Sequence, residues 1–349
     1  MRAFAAGLVS AALILPVSCA RTDAAKFAAG MDAFCKAHGF NGAMLVAERG
    51  RVIFSGGYGF ADAETRLPNT AETTFKIASL TKPFTAVAVM QLAERGLLSL
   101  DDPVSAFIPE YPAGDSVRVR HLLSHTSGVP EYATVAFLGR ADRPFAQEDL
   151  LKAFKSKGLR FPPGSAFEYS NSNYVLLGLI IERVSGLSYG AFVAERICRP
   201  AGMDATRYGG APAEAVGYLR LTEEGGVLKA APAFPLDLSS QFSSAGLVSS
   251  VADLYKWDRA LRAGIFLKKR SIALMETPAA GASDYGLGWR IERPGRKPAV
   301  QHSGTIPGGA GTIYRDTARD RTIIILSNVQ NADLASLRGK ALELFASSR

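Results

Sequence analysis

Apolar positions first recur at helical spacing near the N-terminus, where Phe27, Met31, Phe34 and Cys35 share one face of a segment from Lys26 to His38. The pattern changes at Asn41-Gly42. Ala43 to Ala47 is an alternating apolar run, Glu48-Arg49-Gly50-Arg51 is a turn, and Val52 to Phe60 returns, so these residues predict a hairpin. Helical spacing dominates the middle of the chain, over Pro83–Arg95, Gln147–Lys157, Asn173–Val184, Tyr189–Ile197 and Val251–Arg262. Strand patterns come back at Gly286–Ile291, Gly311–Arg315 and Thr322–Leu326, and a last helix covers Ala332–Phe345. Strands near both ends therefore bracket a long helical stretch. This predicts an α+β fold: one antiparallel sheet built from both ends of the chain, flanked by the terminal helices, with a helical region beside it. In that organisation residues 21–349 form a single domain, its sheet part falling at about 21–78 and 240–349 and its helical part at about 79–239.

The extreme N-terminus follows a different rule. Arg2 precedes an apolar stretch, Ala3 to Val17, broken only by Ser10, and Ser18-Cys19-Ala20 supplies small residues for cleavage. So short an apolar run reads as an export leader over residues 1–20, not as a membrane span, and predicts a periplasmic or secreted protein. Cys19 adds a second destination, because Leu15-Pro16-Val17-Ser18-Cys19 is a degenerate lipidation box that would tether the chain to a membrane surface. No later segment is apolar enough to span a bilayer. Export would permit a disulfide between the two remaining cysteines, Cys35 and Cys198, but so far apart in sequence they read as two buried thiols rather than a bonded pair. The formal net charge of +8 is spread without a basic stripe, so nucleic acid is not an expected partner.

Three short motifs carry candidate chemistry. Ser79-Leu80-Thr81-Lys82 sits where a loop enters a helix, which puts the two polar side chains on one face a turn apart. A serine hydroxyl needs a neighbouring base, and a lysine becomes one when burial lowers its pKa. Alone, the pattern also fits a helix-capping serine followed by a solvated lysine. Tyr169-Ser170-Asn171 comes after the turn Phe161-Pro162-Pro163-Gly164; a tyrosine there can relay protons and an asparagine can hold a carbonyl. His302-Ser303-Gly304 lies in a Gly-rich stretch between strand patterns, where it offers a donor side chain and an exposed backbone edge.

Taken in order, Ser79-x-x-Lys82, Tyr169-x-Asn171 and His302-x-Gly304 resemble the three motifs of class C β-lactamases, low-molecular-mass D-alanyl-D-alanine carboxypeptidases and the related esterases of the penicillin-binding-protein family. Phe75-Lys76-Ile77-Ala78, Leu122-Leu123-Ser124-His125-Thr126-Ser127-Gly128 and Ser244 to Ser250 strengthen the likeness, which extends from about Asn41 to Asn328. The resemblance implies a β-lactamase/transpeptidase-like fold and a serine hydrolase that needs no cofactor or metal. It implies Ser79, Lys82 and Tyr169 as catalytic groups, with Asn171, His302, Gly304 and Thr305 contacting substrate. Ser79 would form the acyl-enzyme, Asn171 would contact the acyl side chain's amide, and the backbone N–H groups of Ser79 and Thr305 would form the oxyanion hole. The expected substrates are small molecules or peptides: D-amino-acid peptides of the cell-wall type, peptidoglycan among them, or small carboxylic esters, with β-lactams as an alternative. A sensor that is acylated without turnover is the alternative outside enzymes. His302 stands where most β-lactamases of this type have lysine. A partly protonated histidine there is expected to attract a substrate carboxylate more weakly and in a pH-dependent way.

Two other patterns compete. Gly186-Leu187-Ser188-Tyr189-Gly190 matches a nucleophile elbow, with Asp253 and His302 following, yet helical spacing before Gly186 favours a helix end and a new cap at Ser188. His121 and His125, four apart, suit a metal on one helix face but bring no evident third ligand.

Overall fold

The structure, a computed structural model, describes residues 17–209, 215–224, 227–282, 284–293 and 298–347. The leader expectation falls largely on residues 1–16, and the Cys19 expectation on a side chain; both lie outside what is described.

Six strands form one antiparallel sheet. In spatial order they are Arg290–Glu292, Ala299–Ile306, Gly309–Asp316, Arg321–Ser327, Gly42–Glu48 and Arg51–Tyr58. The first strand of the chain thus pairs with the last, Ala43 opposite Leu326 and Val46 opposite Ile323. Side chains alternate between two cores. Met44, Val46, Ile323 and Ile325 face the terminal helices Val17–Ala37 and Leu334–Ser347, which pack through Phe27, Met31, Leu337 and Phe345. Ala43, Leu45, Ile324 and Leu326 face the helical region. Burial on both sides explains why these strands read as continuous apolar runs.

The helix Thr81–Glu94 runs through the larger core and is buried from Thr81 to Leu92. Such a helix is enclosed on all sides, so what it carries at its start is fixed by packing. A buried ion network fastens the sheet to the helix Val251–Arg262. Asp258 accepts from Arg315 Nε at 2.5 Å, Arg262 Nε at 3.0 Å and Thr322 Oγ1 at 2.6 Å, and Arg315 also reaches Glu276 at 2.6 Å. Burial raises the Asp258 pKa, but the two guanidiniums outweigh it and hold the carboxyl below its ordinary value.

Several sequence expectations need correction. The stretch around His302 is a strand from Ala299 to Ile306, not a loop: its glycine and polar residues blur an alternation that packing enforces. The strand expected at Gly286–Ile291 is confined to Arg290–Glu292. A hairpin, Tyr218–Glu224 with Val227–Pro232, lies in a stretch where the sequence pattern predicts no strand. Other expectations hold: Gly186 ends its helix at φ 72°, and Ser188 caps the next one by accepting from Ala191 N–H at 3.2 Å, which removes the strand-turn-helix geometry an elbow requires. His125 lies beyond the helix Val119–Leu123 with φ 57°, so it does not share a helix face with His121. Cys35 and Cys198 are free, buried thiols. No single helix among the described residues is long and apolar enough to cross a membrane.

Candidate active site

A small sheet aims the chain into the site. Phe75–Lys76 pairs with Leu247–Ser249, Ile77 N–H donates to Leu247 O at 3.1 Å, and Leu247 N–H returns a bond to Thr81 Oγ1 at 3.2 Å. Between these anchors Ala78 is forced to φ 51°, a left-handed conformation that a side chain disfavours. Ser79 follows in the 3₁₀ turn Ala78–Leu80, and the helix Thr81–Glu94 begins at once. Pro83 falls in its first turn, where no backbone donor is needed. Ser79 is partly exposed; Lys82, three residues on, is fully buried.

Lys82 Nζ stands 3.1 Å from Ser79 Oγ, 2.7 Å from Asn171 Oδ1 and 2.9 Å from Ser244 O. Burial lowers its pKa to about 7, while the Glu131 carboxylate pulls the other way. Near neutrality the amine is therefore substantially unprotonated. Tyr169 behaves oppositely. Its ring lies 4.8 Å beneath Lys82 Nζ, and burial drives the phenol above its ordinary pKa despite the opposing influence of Ser79 and Arg290. Tyr169 therefore keeps its proton, and the lysine is the group able to accept one.

Gly304 brings the sheet against the serine. A Cβ at this position would lie 2.4 Å from Ser79 N, 2.9 Å from Ser79 Cβ and 3.0 Å from Ala78 Cβ, so only glycine fits. The edge of this strand is open beyond Gln301, because Arg290–Glu292 pairs only with Ala299 to Gln301. Among the described residues no strand pairs with 302–306 on that side, so the edge beside Ser79 stays open in the way a sheet edge receives an extended peptide. Thr305 is exposed along that edge, and with Ser303 and Thr312 it lines a cavity of about 330 Å³ at the start of the C-terminal helix.

A sequence model of the family described as Beta-lactamase matches residues 24–345. The chain belongs to the β-lactamase family. It is 33% identical to penicillin-binding protein 4* of Bacillus subtilis over 319 residues, covering 83% of this chain and 68% of that one. Among solved structures it is similar to a penicillin-binding protein from Bacillus halodurans, with a TM-score of 0.77, 29% identity and coverage of 91% and 97%. It is also similar to a D-amino acid amidase from Ochrobactrum anthropi SV3, with a TM-score of 0.80, 26% identity and coverage of 94% and 99%. The protein is a serine hydrolase of the β-lactamase/transpeptidase-like fold.

Within this β-lactamase-family site, His302 departs from expectation. Its Nδ1 lies 3.0 Å from Ser303 O, which only accepts, so Nδ1 carries the proton; Nε2 then accepts from the Tyr285 hydroxyl at 2.9 Å. Burial first, then the charge of Lys82, lowers its pKa to about 3. His302 is therefore neutral throughout the physiological range, and the expected pH-dependent attraction for a carboxylate is withdrawn. A cation does lie nearby in Arg290, on the neighbouring edge strand. Its guanidinium lies 5.8 Å from the Tyr169 ring centre and 5.7 Å from that of Tyr285, with only a loose 3.8 Å contact to Asp284.

Asn171 opens the helix Asn171–Ser185, two residues earlier than its periodicity suggests, and its amide oxygen serves Lys82. His125 supports Tyr169 from below: the rings stack at 4.2 Å, and His125 Nδ1 accepts from Ser170 N–H at 3.1 Å. Two residues that the sequence did not single out, Glu131 and Arg290, thus join the site, and His125, weighed there as a metal ligand, joins it as a support for Tyr169. Placing an alanine at 304 tests the close approach. Gly304→Ala is expected to lower kcat/KM on an activated ester by at least about a hundredfold while far-ultraviolet circular dichroism stays unchanged, the scale seen when oxyanion donors are displaced.

Proposed function

We propose that this protein hydrolyses amide bonds of D-amino-acid peptides through an acyl-enzyme on Ser79, with Lys82 as general base. The observation that carries it is the buried amine 3.1 Å from the serine hydroxyl, lowered to about 7. Lys82 takes the Ser79 proton as Oγ attacks the acyl carbon. Negative charge then gathers on the carbonyl oxygen, facing the N–H groups of Ser79 and Thr305. Tyr169, a retained phenol, hands its proton to the departing amine and is resupplied by the Lys82 ammonium. Water then attacks the ester, yielding the acid and free serine, so the site returns to its starting protonation.

The D-amino-acid preference is supported by the likeness to the D-amino acid amidase and to a D-stereospecific amidohydrolase from Streptomyces. Arg290 supports a substrate ending in a free carboxylate, because among the described residues it is a cation beside Tyr169 and the open strand edge whose ion pair, with Asp284 at 3.8 Å, is loose. Cell-wall peptides have both features. The leader pattern at residues 1–20 supports work outside the cytoplasm; N-terminal sequencing of the exported protein is expected to begin at Arg21, and an unprocessed or lipid-blocked N-terminus would contradict cleavage there.

The deciding experiment compares an acyl-D-Ala-D-Ala peptide with its C-terminal amide, with p-nitrophenyl butyrate and nitrocefin alongside. Ser79→Ala should lose both turnover and fluorophosphonate labelling. Activity should rise as pH passes about 7, since the base must be neutral, and fall away below it. Arg290→Ala should cost the carboxylate peptide about tenfold to a hundredfold in kcat/KM, the size of one lost charged hydrogen bond, and spare the amide. Equal losses on both peptides, or an ester or nitrocefin rate exceeding that on the peptide, would replace the peptidase assignment with the esterase or β-lactamase one. Labelling without turnover of any substrate would indicate a sensor.

A further inference from the structure

Two of the three neighbours of Lys82 Nζ, Asn171 Oδ1 and Ser244 O, are carbonyl oxygens, which only accept. An unprotonated amine has two N–H groups and one lone pair. With both N–H groups drawn to those oxygens, the lone pair is left facing Ser79 Oγ. That geometry holds only while Asn171 turns its oxygen, and not its NH₂, toward the lysine. The reversed amide would donate to the lone pair and leave the serine without a base.

Glu131 prevents the reversal. Its Oε2 accepts from the Asn171 backbone N–H at 2.7 Å and from Asn171 Nδ2 at 3.1 Å, while Oε1 is held by Ala133 N–H at 2.7 Å. An ionised carboxylate has no proton to give, so only the NH₂ side of the amide can face it. We propose that Glu131 is a positioning residue: it fixes the rotation of the Asn171 amide and thereby points the Lys82 lone pair at Ser79. The same contact closes the start of the helix Asn171–Ser185, whose preceding residue Ser170 makes no side-chain cap bond. This assignment rests on Lys82 being the base proposed above.

Glu131 also acts on Lys82 through its charge. The groups facing the amine are the Tyr169 and Tyr174 rings at 4.8 and 5.4 Å, with His125 and His302 close enough to interact with it electrostatically and Arg290 acting on Tyr169 and both imidazoles. Both phenols are pushed up and both imidazoles down by burial, so all four are neutral near pH 7, and Arg290 is cationic. Glu131 is the anion that favours the protonated lysine. Removing its charge makes the ammonium harder to keep, so the amine would lose its proton at a lower pH.

The test is kcat/KM against pH on p-nitrophenyl acetate for wild type, Glu131→Gln and Glu131→Asp, with thermal unfolding followed in parallel. A glutamine keeps the size but can present either end to Asn171. E131Q should lower the plateau about tenfold to a hundredfold and move the acid-side midpoint to lower pH. E131D, which keeps the charge and can only accept, should recover most of the plateau and the wild-type midpoint. A wild-type plateau and midpoint in E131Q would overturn the assignment. So would a plateau lowered in proportion to unfolded protein with the midpoint unmoved, since that is capping alone. If wild type itself lacks an acid limb near pH 7, the base assignment for Lys82 falls; if wild type has it and E131Q keeps it, only the role of Glu131 falls.

Discussion

The burial of one amine governs this structure. A lysine taken out of water and held near pH 7 instead of 10.5 costs the fold on the order of 5 kcal/mol wherever the unfolded chain would be protonated and the pH lies below 7. The sign follows from proton binding: the unfolded state holds the proton more tightly, so acidification favours unfolding. Such a sum is a large part of a domain's net stability. The surrounding structure must be stiff enough to bear it, and the elements around Lys82 are.

That stiffness comes from closure at several levels. Joining the first strand to the last makes the sheet a platform that neither end of the chain can leave without breaking a core on each face. The helix carrying Lys82 is surrounded along its length. The segment Phe242–Ser249 wraps its start, with Ser243 O accepting from Thr85, Ser244 O from Lys82, and Leu247 bonded to Thr81. Gly304 then presses the sheet edge onto Ser79 from the other side. The serine, the neighbouring lysine and the open strand edge are thus held by three parts of the chain, the helix Thr81–Glu94 with its lead-in, the segment Phe242–Ser249 and the strand Ala299–Ile306.

The sequence shows local chemistry well and long-range chemistry poorly. Ser79 and Lys82 are legible because a helix brings residues three apart together; Tyr169 and Asn171 lie at a visible loop-to-helix boundary. An antiparallel sheet built from both ends of the chain was foreseeable from apolar runs such as Ala43–Ala47 and Thr322–Leu326, but its strand Ala299–Ile306 was not. Glu131 was not, since it lies forty residues before Asn171 and looks like any loop carboxylate until the fold joins them. Arg290 is one of 40 Lys and Arg residues, and only its place on the edge strand beside Tyr169 sets it apart. His302 was visible as a residue, but its charge was misjudged. Periodicity does not report that a side chain will be buried against Tyr285, and burial decides its protonation.

The central claim is that Lys82 is a neutral amine poised against Ser79, and it can be measured without any substrate. In protein carrying ¹³C-labelled lysine, the Lys82 Cε resonance, assigned by its absence from Lys82→Arg, reports the charge on Nζ as pH is varied. The account predicts a titration centred at about 7, far from the near-10.5 midpoint of the exposed lysines. A Lys82 that stays cationic through pH 9 would contradict it, because the site would then hold no base.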